Sequence, residues 1–211
     1  MGTIVAEGAV SGDAPVRVAD DLAVAVHDTD AVVLAATERF RRLGVTADTS
    51  VSEIAALPYA TRIVGPTVRF FGRRRRVSIG TFPARNADRV MPIMSDLYPG
   101  IEQMANVFEA GLNNPNPTLH CLGVLLSASR IEYSHGEFYY HEEGMTPHVC
   151  QAIDAERQAI GAALGVEVLS LLDTYAWMGY GPAGDSVWSV IRGVAALNGI
   201  KGPTEIDSRY I

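Results

Sequence analysis

No regular element can run unbroken through Gly111-Leu-Asn-Asn-Pro-Asn-Pro-Thr-Leu-His120. Each proline fixes φ and lacks an N–H, so helix interiors and central strands exclude the pair Pro115 and Pro117. Asn113, Asn114 and Asn116 add side-chain donors and acceptors that a plain solvated loop does not need. The chain is expected to break here between two helices, Ile101 to Gly111 and Pro117 to Tyr133. Apolar residues resume at once in Leu122-Gly-Val-Leu-Leu126, which places His120 at the mouth of a buried helix. An imidazole there can exchange a proton with a substrate near neutral pH. A histidine at a helix start also serves as a purely structural hydrogen-bonder. Proton transfer normally calls for an orienting carboxylate, and Glu109 and Glu132 are the candidates by sequence distance.

The texture of the chain changes once, near Gly100. Residues 1–100 read as an α/β domain and residues 101–211 as a helical one. In the first, Val18 to Val26 has helical spacing behind an Asp N-cap. Ala31-Val-Val-Leu-Ala-Ala36 is a short apolar run of the buried parallel-strand type. Ile63 to Pro83 reads as a hairpin: Val68 to Phe71, a turn at Gly72-Arg73, then Val77 to Phe82. Asn86 to Leu97 is a helix, closed by Tyr98-Pro99-Gly100. In the second, Thr146-Pro147 opens a helix that passes through Val149, Ile153, Ile160 and Leu164 and stops at Gly165. Glu167 to Met178 and Ser186 to Leu197 give two more helices, and Lys201-Gly-Pro203 opens an extended tail.

The net charge of −7 argues against nucleic acid or an anionic membrane as the main partner. No apolar run is long enough to span a bilayer. Met1 to Glu7 lacks the basic start and long apolar stretch of a secretory leader. Cys121 and Cys150 show no metal-type spacing, so a reducing cytoplasm with free thiols is expected.

Three local patterns admit a functional and a plainer reading. Gly179-Tyr-Gly-Pro-Ala-Gly184 matches the dinucleotide fingerprint letter for letter, but that motif works only after a strand. Asp173 to Met178 before it reads as helix, so a helix–helix connection is the better reading. Arg73 to Arg76 could hold a phosphate; in an acidic chain a solvated hairpin turn is favoured. His135, His141, Glu142, Glu143 and His148 lack the spacing by which metal ligands converge, so a surface loop and no metal are expected.

Leu112-Asn-Asn-Pro-Asn-Pro-Thr-Leu-His120 resembles the substrate-domain motif of the octopine/nopaline (opine) dehydrogenases. Leu57-Pro-Tyr-Ala-Thr-Arg62 is similar to the segment joining that family's two domains. Tyr98-Pro99 with Asn106-Val107, Arg130-Ile-Glu132, Glu143-Gly-Met-Thr-Pro147, Asp154-Ala-Glu-Arg157, Lys201-Gly-Pro203 and Arg209-Tyr210 follow in the family's order. The resemblance implies an incomplete Rossmann-like N-terminal domain followed by a helical dehydrogenase domain. It implies NAD(P)H-dependent reductive condensation of an amino acid with a 2-oxo acid, with NAD or NADP as cofactor. His120 matches the catalytic acid/base, Asn114 and Asn116 the substrate-pocket asparagines, and Arg209 an arginine that meets cofactor phosphate.

The departures are equally specific. The family's Gly-rich loop after the first strand has no counterpart here, and Ala36-Thr-Glu-Arg39 passes over a strand, a Gly-rich turn and a helix. The polar position before Leu57 is Ala56. The family's acidic partner for the histidine lies beyond Arg209-Tyr210, and Asp207 does not match it. Two expectations therefore stand: an opine dehydrogenase-like oxidoreductase, or a non-catalytic binding or dimerising module. With strands missing, the Val32 to Leu34 strand would expose an edge or an apolar face, so a first domain that is partly disordered or buried by self-association, as in a homodimer, is expected.

Overall fold

A computed structural model describes residues 3–6, 23–27, 32–64, 66–143, 146–179, 184–194 and 197–207. The chain forms two compact units, residues 1–57 with 77–114, and residues 58–76 with 115–211.

The first unit is built on a five-stranded sheet of β1 (Thr3–Ala6), β2 (Ala23–His27), β3 (Ser50–Ile54), β6 (Val77–Phe82) and β7 (Ile101–Gln103), in that spatial order. β1, β2 and β3 are parallel, β6 runs antiparallel to β3, and β7 is parallel to β6. Helix α1 (Val32–Arg42) lies between β2 and β3 in sequence, which makes a β–α–β unit.

Several local expectations change here. Ala31 to Ala36 belongs mostly to α1, not to a strand. A six-residue apolar run cannot by itself separate strand from buried helix. The polar continuation decides: Val33, Ala36 and Phe40 fall on one helical face and pack with Val51. The edge expected at Val32 to Leu34 therefore does not exist. The end of the expected Val18 to Val26 helix is strand β2, with residues 18–22 outside the described set.

The hairpin is also different. Val68 to Phe71 lies in β5 (Thr67–Arg73), which pairs with β4 (Tyr59–Val64) and not with β6. The continuous burial of β6 explains why: Val77 to Thr81 are all buried, as in a central strand covered on both faces. Helix α2 (Ala87–Leu97) packs Val90 and Met94 onto Ile54, Val77 and Ile79.

The helix expected from Ile101 begins as strand β7, and α3 (Val107–Leu112) starts only after Asn106. The Asn106 side chain accepts the Glu109 N–H at 3.0 Å and so caps α3. Gly80 of β6 makes this junction possible. A Cβ at Gly80 would sit 2.5 Å from the Asn106 carbonyl oxygen.

The second unit holds the β4–β5 hairpin and the helices that follow α3. After a π-type turn at Pro117–Cys121 come α4 (Leu122–Leu126), α5 (Ala128–Ser134), α6 (Tyr140–Glu143), α7 (Pro147–Leu164), α8 (Leu171–Met178) and α9 (Val187–Gly193). Leu119, Val124, Ile131, Tyr140, Leu171 and Ile191 form the centre of its core. The expected single helix from Pro117 to Tyr133 is interrupted at Ser127, whose φ of −105° and ψ of 10° leave the helical region. Helix α7 runs as expected from Pro147 to a left-handed Gly165, with φ 69°.

A buried ion pair joins α7 to α8. Asp154 accepts Arg157 Nε at 3.0 Å and the Leu171 N–H at 2.9 Å, while Arg157 also donates to the Leu169 carbonyl. Every partner is satisfied, which is what makes two buried charges tolerable. Among the described residues no helix is long and apolar enough to cross a membrane.

Replacing Gly80 with alanine forces β6 away from the start of α3. We expect a loss of about 1–3 kcal/mol, the usual cost of overpacking, read as a lower urea midpoint. An unchanged midpoint would mean that α3 does not rest on β6.

Candidate functional site

The Asn-Pro run acts on the helix that follows it. Pro117 opens the helix at its first position, and residues 117–121 wind with π-type i→i+5 bonding before α4 settles into α geometry. Such turns carry a geometric cost and recur at functional sites. Thr118 and Leu119 are buried in this turn, and His120 is half-buried.

His120 is held by neighbours from α6. The Tyr140 hydroxyl donates to the His120 carbonyl oxygen at 2.8 Å. The two rings lie nearly parallel, 14° apart, with centroids at 5.8 Å. His141 meets the His120 ring edge-on at 5.8 Å and the Tyr140 ring at 4.9 Å. Tyr140 is fully enclosed, and His141 is only 2% exposed. Two buried aromatic rings thus set the plane of the half-buried one, through contacts worth roughly 0.5–1.5 kcal/mol per pair.

Helix α6 has only four residues, so tertiary contacts must hold it. Glu143 accepts the Tyr139 N–H at 3.0 Å and forms an ion pair with Arg130 of α5. Arg130 in turn lies over the Phe138 ring at 4.6 Å. The Tyr139 N–H and, after it, Arg130 hold the Glu143 carboxyl below its ordinary range. On the other side, Tyr140 N–H donates to Ile200 and Gly202 N–H to Phe138. Lys201 reaches Glu137 at 2.9 Å, and that hydrogen bond raises its pKa. A Cβ at Gly202 would meet the Phe138 ring at 2.5 Å, so the segment must pass this close. Segments distant in sequence, at Arg130, Glu143 and Lys201, therefore converge on the element that braces His120.

The other sequence-derived residues fall as follows. Asn116 is half-buried and precedes His120 by four residues in the second unit. Asn114 is buried at the end of α3 in the first unit, its N–H donating to the Gly111 carbonyl at 3.0 Å. Arg209 lies outside the described residues. Glu109 serves α3, accepting the Ala105 N–H at 3.3 Å, and Glu132 accepts the Ile206 N–H at 3.4 Å. Both candidate carboxylate partners of His120 are thus engaged with backbone groups.

Tyr140 and His141 were not anticipated as partners of His120. The surface loop expected around them is corrected: His141 is buried in a helix, whereas His135 and His148 are exposed. The signal was the aromatic run Phe138-Tyr-Tyr140 immediately before His141, too apolar for a solvated loop. Among the described residues, no group of three or more His, Cys, Asp or Glu side chains could hold a metal ion. The arginine run is corrected as well: it leaves the end of β5, with Arg74 N–H on the Pro58 carbonyl and Arg75 N–H on the Met178 carbonyl. Gly179 closes α8 as a left-handed C-cap, and α9 follows from Val187; residues 180–183 between them lie outside the described set.

The parallel β1–β2–β3 arrangement with α1 is the framework on which dinucleotides bind at strand carboxyl ends. Among the described residues, however, no glycine-rich turn joins a strand to a helix.

The family described as "NAD/NADP octopine/nopaline dehydrogenase, alpha-helical domain" matches residues 103–211. An opine dehydrogenase of Arthrobacter sp. (strain 1C) is 34% identical over 131 residues, covering 61% of this chain and 36% of that protein. The fold is similar to NADP+-bound yersinopine dehydrogenase, with a TM-score of 0.67 and 12% identity over 87% of this chain and 59% of that one. The apo form of the same enzyme gives a TM-score of 0.59 and 12% identity over 74% and 46%. The chain spans about a third of the curated relative's length.

Acid should loosen the brace. The Glu143 carboxyl is depressed in the folded chain, so its stabilisation is present above its unfolded pKa of about 4.3 and is lost as pH falls through the lower folded value. Hydrogen exchange at the Tyr139 and Tyr140 amides should speed up across that fall, and Arg130→Ala should move the onset to higher pH. Protection that ignores pH down to global unfolding would contradict this anchoring.

Proposed function

The chain belongs to the NAD/NADP octopine/nopaline dehydrogenase family, and on that premise we propose that it takes part in reductive condensation of an amino acid with a 2-oxo acid. The observation that carries this reading is His120, half-buried on a π-type turn with its ring plane set by Tyr140 and His141. The amine adds to the ketone carbon, water leaves, and the resulting imine carbon is reduced. His120 gives a proton to the carbonyl oxygen as negative charge develops and supports its departure as water. A nicotinamide, NAD or NADP, supplies the hydride when bound. Asn116 and Asn114 contribute amide groups that orient the substrate carboxylates and amine, and Arg209 meets cofactor phosphate. The protein acts in the cytoplasm as a homodimer.

A second reading, a non-catalytic binding or dimerising module, rests on the sequence, where the family's Gly-rich loop that cradles a pyrophosphate has no counterpart.

The test is turnover. The chain should consume NADH or NADPH in the presence of amino acid and 2-oxo acid pairs, with the secondary amine detected by mass spectrometry. His120→Ala should slow turnover by about 10²–10⁴-fold while leaving NAD(P)H fluorescence titration unchanged. No binding of either nucleotide would favour the second reading; turnover that survives His120→Ala would remove the histidine from its role.

A further inference from the structure

The second unit exposes two apolar surfaces of opposite electrostatic character. One is the β4–β5 arm. A lone two-stranded sheet is marginal in water, and no other described strand pairs with it. Its base is fixed by the Arg74 and Arg75 backbone bonds to Pro58 and Met178, yet β5 is exposed along nearly its whole length. Val68 is 63% and Phe70 62% exposed. Two residues apart on a strand, they share one face. Six of the chain's 17 cationic side chains lie between Pro58 and Arg76, and none of its 24 carboxylates does.

The other surface is the outer face of α7. Ile160 and Leu164 are each 52% exposed, and Glu156 continues their stripe at four-residue spacing on the exposed side. No lysine or arginine is exposed on this helix, because Arg157 turns inward to Asp154. The spacings also match. Neighbouring same-face residues on a strand are about 6.7 Å apart, and residues four apart on a helix rise about 6 Å.

We propose that a second copy of this chain covers both surfaces. The Val68 and Phe70 face of one copy packs along Ile160 and Leu164 of the other, and a twofold axis repeats the contact in reverse. A basic arm and an otherwise acidic chain attract each other, so charge complementarity selects this partner and salt weakens it. The inference rests on the self-association proposed above and not on the redox chemistry.

Sedimentation velocity on the nuclease-treated chain tests it. The wild type should sediment at twice the chain mass and dissociate as salt rises. Phe70→Asp and Ile160→Asp, both at exposed positions, should keep the native circular-dichroism spectrum and each weaken the dimer by about tenfold or more. Mixing the two variants is the decisive step. In a mixed dimer one arm-to-helix contact remains intact, so a dimer should form at concentrations where neither variant self-associates. A monomeric wild type would overturn the self-association itself. A variant that stays dimeric, a mixture that stays monomeric, or an assembly that disappears with nuclease would overturn this surface.

Discussion

The hydrogen bond from the Tyr140 hydroxyl to the His120 carbonyl ties together the two elements on which the candidate site depends. On one side is the π-type turn that follows the Asn-Pro run. On the other is a helix of four residues with no intrinsic stability of its own. Neither element would hold its shape alone. Joined, they place two buried rings against a half-buried imidazole and fix its plane.

The scaffolding of that contact is spread over the second unit. Arg130 and Glu143 tie α6 to α5, and the Ile200 to Gly202 backbone closes over it from the far end of the sequence. Exposed ion pairs of this kind contribute little by themselves. Here each is coupled to a backbone hydrogen bond or a ring contact, so the set is cooperative. The buried Asp154–Arg157 pair performs the comparable task for the α7–α8 junction, with every donor and acceptor satisfied. Several of the segments that resemble the family's ordered motifs thus have structural duties: Arg130, Glu143, Asp154, Arg157 and Lys201 position the helices around His120.

Much of the second unit was legible in the sequence, and for identifiable reasons. Pro147 and Gly165 bracket α7 by their φ preferences, and Pro115 and Pro117 had to break the chain. The first unit was less legible. Ala31 to Ala36 carries no period that separates a helix from a strand, and β6 is too uniformly buried to alternate. The partner of a strand is a long-range fact, so Val77 to Phe82 joined β3 and β7 and not its sequence neighbour. At the site, His120 stood out because of the prolines before it. His141 did not, because a histidine in a run of charged residues looks solvated until the aromatic residues beside it are seen to carry it inward.

The central claim is that His120 is held in one orientation by Tyr140 and His141 before any substrate arrives. Solution NMR of the free chain, with the histidine and tyrosine rings labelled, tests it most directly. The account predicts nuclear Overhauser contacts from the His120 ring to both the Tyr140 and His141 rings, with the Tyr140 hydroxyl proton protected from exchange. Rotationally averaged His120 ring signals with no contact to either neighbour would contradict it.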